Sequence, residues 1–312
     1  MQAVAAAFLL SSSFAFAAGL PLEDARWAPA DADLLRLLTQ SPGECLAPAA
    51  ADDAYRVEVG RVAFRSPFLF GGTASRAGLS CNACHRDGHD NPDFFLAGLS
   101  GEPGTADVTS SVFSRTREDG AFNPVPIPTL VGVAGKTTFG ETAPHGSLDA
   151  FIASAVTEEF DGEAAPFLVE AIAAYLTHLD PKYCPAGVRL TTAGDDLASS
   201  RAALGAAEEA LRRGDARTGD FLLLAARGLL KRIDERFAEL EAERAAIAAL
   251  SAAIGAQRML AAADPAAALR AAPALRTRFE ETADLVLARQ SKSLYDRNTL
   301  KRRLEAERSG HE

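Results

Sequence analysis

Five consecutive residues, Cys81-Asn82-Ala83-Cys84-His85, restrict what this chain can fold into more than any other feature. Two thiols at that spacing, followed directly by an imidazole, form the attachment pattern of a c-type haem. Each thiol can add to one vinyl group of the same porphyrin, and the histidine then binds the iron from the same side. A chain that carries such a group has to wrap a flat apolar disc and supply its walls. A CxxC pair has two other readings, a redox dithiol and half of a zinc site. The adjoining His85 favours haem.

The flanking sequence supports export. Met1 to Ala18 is a short apolar run ending in small residues, and Ala15-Phe16-Ala17 fits an A-x-A cleavage signal. We therefore expect residues 1–17 to be a signal peptide, although no Lys or Arg precedes Arg26 to form a positive n-region. The alternative is a buried N-terminal helix. No later run reaches the about 18 uninterrupted apolar residues that span a bilayer, so no membrane span is expected after signal removal. Haem is attached to c-type cytochromes outside the cytoplasm, which points to a periplasmic protein.

Of the four cysteines, the motif takes two and leaves Cys45 and Cys184. In an oxidising compartment a disulfide between them is the natural reading, with two free thiols as the alternative. At 312 residues the chain can form one large domain or two ordinary ones. A net charge of −10 argues against nucleic acid, which needs a clustered positive face.

Composition divides the chain in two. Residues 18–187 are rich in Gly, Pro and Phe, with turn signals such as Gly101-Glu102-Pro103-Gly104 and Asn123-Pro124-Val125-Pro126. Short helices are expected over Leu148–Val156 and Pro166–Leu179, the latter with Leu168, Ile172, Tyr175, Leu176 and Leu179 on one face. Residues 188–312 are rich in Ala, Leu, Arg and Glu and read as long helices. Leu230, Ile233, Phe237 and Leu240, then Ile247, Leu250 and Ile254, form an apolar stripe that Arg244 interrupts. Turns are expected at Asp215–Gly219 and Ala262–Pro265, and the charged segment from Lys292 to Glu312 is expected to fray. The predicted class is mainly α, with a loop-rich mono-haem cytochrome c-like domain and then a C-terminal helical bundle or helical hairpin. That helical region is a candidate oligomerisation surface.

A six-coordinate iron needs a ligand opposite His85. His89 is too near in sequence, because four residues span at most about 14 Å and cannot round a porphyrin edge. His178 reads as an exposed helix histidine. His145 and Met259 remain as candidates for the sixth position, with core filler as the plainer role for a lone methionine.

These segments together resemble the bacterial di-haem cytochrome c peroxidase superfamily over about residues 57–180. Gly78-Leu79-Ser80 leading into the CNACH motif is similar to its attachment segment, and Ile127-Pro128-Thr129-Leu130 to its loop beside the haem. Ala143-Pro144-His145-Gly146-Ser147-Leu148 is similar to a shortened form of its A-P-Y-x-H-D-G-S segment, without the tyrosine. Ala171–Leu179 is similar to the helix that closes the domain. Family members carry two haems, whereas this sequence has one CxxCH. The resemblance implies that Glu158 or Glu159 could be the acid-base group of a peroxidase or oxidase, against the plain reading of a solvated acidic turn. Arg115 and Arg117 are candidate partners of haem propionates or ordinary surface charges. We expect one covalent haem c held by Cys81, Cys84 and His85, and electron transfer with a redox partner protein.

Overall fold

The computed structural model describes residues 20–140 and 144–309. The expected signal peptide lies outside those residues. The fold is mainly α, with 62% helix, 4% strand and eleven α-helices among the described residues.

The N-terminal part winds through short elements. Helix α1 (Leu34–Thr39) is capped by the Asp33 carboxylate, which accepts from the Arg36 amide. It runs into β1 (Gln40–Ser41) and then into α2 (Ala51–Arg65), whose first turn carries Asp52 and Asp53 at the positive end of the helix dipole. Two short helices follow, α3 (Gly72–Ala77) and α4 (Cys81–Cys84). Gly78 ends α3 at φ 84°, a left-handed turn that aims the chain into the CNACH segment. The described residues from there to 140 are mostly loop, with short 3-10 turns at Arg86–Gly88 and Val133–Gly135 and the two-residue pair β2 (Thr105–Ala106) and β3 (Val125–Pro126).

Ser147 caps α5 (Leu148–Ser154), which passes into one π-helical turn over Ala155–Glu159. Helix α6 (Pro166–Thr177) starts at Pro166, where the missing N–H costs nothing. It buries Leu168, Ile172, Tyr175 and Leu176, and Leu179 just beyond its end is also fully buried. Helices α2 and α6 cross at Gly60, where an added Cβ would lie 1.9 Å from the Ala171 carbonyl oxygen. Gly60→Ala is therefore expected to push the pair apart at a cost of about 1–3 kcal/mol or more, read as a lower urea midpoint. A variant as stable as wild type would contradict this crossing.

Strand β4 (Arg189–Leu190) returns to pair antiparallel with β1. Close by, Cys45 and Cys184 form the expected disulfide. Four long helices then build the C-terminal region: α7 (Ala193–Arg212), α8 (Ala216–Arg236), α9 (Glu241–Ala263) and α10 (Pro265–Arg289). A capping box from Thr192 and Asp195 starts α7, Asp215 caps α8, and Asp264 caps α10 with Pro265 at its first position. Each helix packs on the next and α10 returns to α7, so the expected bundle or hairpin is a closed four-helix bundle. Helices α7 and α8 also pack on α2, and one apolar core runs from Phe64 and Tyr175 into Leu222 and Phe237.

Three expectations for this region change. The turn expected over Asp215–Gly219 lies at residues 213–215, because Asp215 caps a helix that already begins at Ala216. The apolar stripe is not one helix: α8 stops at Arg236, residues 237–240 turn, and α9 begins at Glu241. Arg244 interrupts the stripe because it lies in the first turn of α9, where it bonds Asp234 at 3.0 Å across the hairpin. The C-terminal segment does not fray over its described length. Residues Arg297–Ser309 form α11, anchored by Leu300, which packs fully buried with Leu22, Leu38 and Leu294. Leu300, with Leu304 packed partly buried against the same cluster, docks an otherwise charged helix on α1. Among the described residues one helix, α9, is long and apolar enough to cross a membrane by length and composition. In this fold it is the third helix of the bundle, burying Ile247, Leu250 and Ile254.

Candidate functional site

The spacing of Cys81 and Cys84 places them three residues apart on the single turn of α4, so both face the same way. They face a cavity of about 310 Å3 that His85 also lines, a ligand-sized volume. Its walls are mostly apolar. Phe64 comes from α2, Ile172 and Leu176 from α6, Phe151 and Ile152 from α5, and Phe113 from the loops. Neither motif cysteine is in a disulfide.

His85 is fixed by the loop singled out in the sequence. Its Nδ1 lies 2.9 Å from the Pro128 carbonyl oxygen. A carbonyl only accepts, so the ring proton sits on Nδ1 and the Nε2 lone pair is left for a metal. That loop is itself held to the motif's own turn, since the Leu130 amide donates to the Gly88 carbonyl at 2.8 Å. Burial lowers the His85 pKa to about 4, against the opposing Pro128 bond, so the imidazole is neutral near pH 7. Burial also pushes the Cys81 thiol up to about 12 and raises Cys84. A redox-active CxxC needs the opposite environment. For zinc, no group of three or more His, Cys, Asp or Glu suited to a metal occurs among the described residues.

The other histidines divide clearly. His89 points away from the cavity, its Nε2 donating to the Gly43 carbonyl at 3.1 Å beside the Cys45 sulfur. His178 is half-buried, not exposed as expected, because it caps α6 and its Nδ1 donates to the Ala174 carbonyl at 2.8 Å. His145 is held by an antiparallel bridge to Phe139 and touches Phe151 with its ring edge. Phe139 and Phe151 line the cavity and His145 does not, but its Nε2 is buried without a hydrogen-bond partner. Met259 is corrected as a sixth-ligand candidate. It is 75% exposed on α9, which packs on α8 and α10, and it does not reach the cavity wall.

The acidic turn holds the finding that sequence did not predict. Glu159 lines the cavity at the end of the π turn and is ion-paired there with Arg117, each side chain only 10% exposed. The solvated-turn reading fits Glu158 alone, which is 46% exposed, accepts from Ser154 at 2.9 Å and lies 3.7 Å from Arg117. The extra residue of a π turn rotates Glu159 inward. Arg115 is exposed and outside the wall. Arg117 and Glu159 are 42 residues apart, and only a functional expectation for each, not their pairing, was readable.

The residues present fit a covalent haem: two unpaired thiols and an imidazole with Nε2 free share one apolar wall. No family model, curated protein or solved structure matches the chain.

Proposed function

We propose that this chain is an exported, periplasmic mono-haem c-type cytochrome that passes electrons to a redox partner protein. Cys81 and Cys84 hold the porphyrin as thioethers and His85 Nε2 binds the iron. The observation that carries the reading is the His85–Pro128 bond within an apolar, ligand-sized cavity. Haem bound there supplies a one-electron couple. The protein's share is to orient and to exclude water. Pro128 sets the imidazole's plane and tautomer, and Phe64, Ile172 and Leu176 keep the surroundings at low dielectric. Export is supported by the signal-like residues 1–17 and by the Cys45–Cys184 bridge.

A second reading, a peroxidase or oxidase of the superfamily that the sequence resembles, is favoured by one specific observation. The cavity wall carries the Arg117–Glu159 pair, and its described residues include no histidine besides His85 and no methionine. An open coordination position beside a carboxylate able to move a proton is what such chemistry needs. Glu159 would hold that proton and Arg117 would orient it.

Intact mass spectrometry of the exported protein tests the shared claim. One added haem mass is expected, and it should vanish in Cys81→Ala/Cys84→Ala. A wild-type protein without that mass defeats both readings. The optical spectrum then separates them. A low-spin ferric spectrum indifferent to peroxide and cyanide favours the carrier, whereas a high-spin spectrum that peroxide changes rapidly favours the enzyme.

A further inference from the structure

Residues 81, 84 and 85 face the apolar cavity, and helical geometry turns Asn82 and Ala83 the other way. They line a separate cleft of about 220 Å3 between α4, α7 and α8. In a chain of net charge −10, this cleft is lined by six guanidinium groups against five carboxylates.

The carboxylates are already engaged. Glu44 pairs with Arg61 and Arg65, and Asp87 with Arg65. Asp24 bonds Arg232 at 2.9 Å, Asp195 lies 3.6 Å from Arg189, and Asp196 accepts from the Tyr295 hydroxyl at 2.5 Å. Two guanidinium groups are left without an ion pair to any described residue. Arg86 donates to the carbonyls of Leu37 and Gln40 at 2.7 and 2.5 Å. Arg236, only 6% exposed, donates to the Leu294 carbonyl at 3.2 Å and lies over the Tyr295 ring. Carbonyls satisfy N–H groups but do not neutralise a charge, and arginine does not shed its proton in a protein. The counter-charges of Arg86 and Arg236 lie beyond ion-pair distance and are shared: Asp24, already bonded to Arg232, acts on both, while Asp87 and Asp93, paired with Arg65 and Arg36, act on Arg86. A buried charge so thinly compensated is costly. On the same wall the Thr191 hydroxyl is buried and makes no hydrogen bond.

We propose that this cleft is a binding site for a small oxyanion, held by Arg86 and Arg236 with the Thr191 hydroxyl as a further donor. Planar guanidinium groups match phosphate and carboxylate oxygens in geometry and charge. The volume is below the about 300 Å3 at which drug-sized pockets begin, which suits inorganic phosphate or a short dicarboxylate. Arg86 follows His85 directly, and Asn82 lies between the motif cysteines, so the anion would bind against the back of the attachment turn. The site does not depend on what fills the apolar cavity.

Isothermal titration of the purified full-length chain with inorganic phosphate, and separately with malonate, tests this at low ionic strength. One saturable site with a Kd of about 1 mM or tighter is expected for at least one probe, weakening as sodium chloride is added. A response to phosphate alone identifies a tetrahedral ligand, and to malonate alone a carboxylate one. Arg86→Gln should weaken binding about tenfold or more. Ser199→Glu, which sets a carboxylate on the cleft wall from α7, should do the same and serves if Arg86→Gln does not fold. Heats that never saturate for either probe, or folded variants that bind like wild type, would overturn the proposal.

Discussion

Replacing both Cys45 and Cys184 by serine is expected to lower stability by about 2–5 kcal/mol, with about 5 as the chain-entropy value. The bridge spans 139 residues of sequence, and long closures restrict the unfolded chain most. Local hydrogen bonds flank it: the Ala47 amide donates to the His178 carbonyl at 2.8 Å and the Asp180 amide to the Cys45 carbonyl at 2.9 Å. Those bonds persist without the sulfurs, so the folded state should keep its shape and the loss should come from a freer unfolded chain. Urea unfolding of the double serine variant, followed by far-UV circular dichroism, measures it. Equal midpoints for variant and wild type would rule the bridge out as a source of stability.

Arg65→Met should be comparably damaging for a different reason. Arg65 sits 2.9 Å from both Glu44 and Asp87, beneath the Tyr175 ring, and its side chain is 11% exposed. Removing it leaves a buried carboxylate cluster short of one charge, at a cost of about 3–5 kcal/mol. Burial alone would raise the Glu44 pKa, but Arg65, then Arg61 and the Tyr175 hydroxyl, hold it at about 2 against an ordinary 4.5. A carboxyl lowered in the folded state adds stability above its unfolded pKa, of about 3 kcal/mol in order of magnitude here. That contribution is fully present above pH 4.5 and is lost as pH falls toward 2. In Arg65→Met the acid-side fall should be shallower, because Glu44 is then held by Arg61 and Tyr175 alone. A variant with the wild-type midpoint and the same acid slope would show that Arg65 does not carry the cluster.

What the sequence revealed follows the range of the interactions involved. The CNACH turn, the Pro166 helix start and the Asp264-Pro265 boundary depend on residues a few positions apart, and spacing displayed them. The disulfide was readable because only two cysteines remained to pair. The Pro128–His85 bond lay behind a flagged loop, but its acceptor is a backbone carbonyl that no side-chain pattern encodes. Arg117 and Glu159 were each noticed and not paired, since their meeting depends on a π turn that shifts one residue inward. The stripe from Leu230 to Ile254 misled because a turn at 237–240 happens to keep apolar residues in helical step. Leu300 was lost among charges, where one buried leucine barely alters a periodicity. Met259 failed for the converse reason, as a lone side chain on an alanine-rich helix carries no signal of which face it occupies.

The bridge between Cys45 and Cys184 also bears on the order of events in making this protein. Four thiols emerging together into an oxidising compartment can pair in three ways. On the proposed reading, thioether formation at Cys81 and Cys84 withdraws both from that competition and leaves a single pairing. Porphyrin attachment would then act as a proofreading step for oxidation, and chains oxidised too early would be the ones found misbridged and colourless.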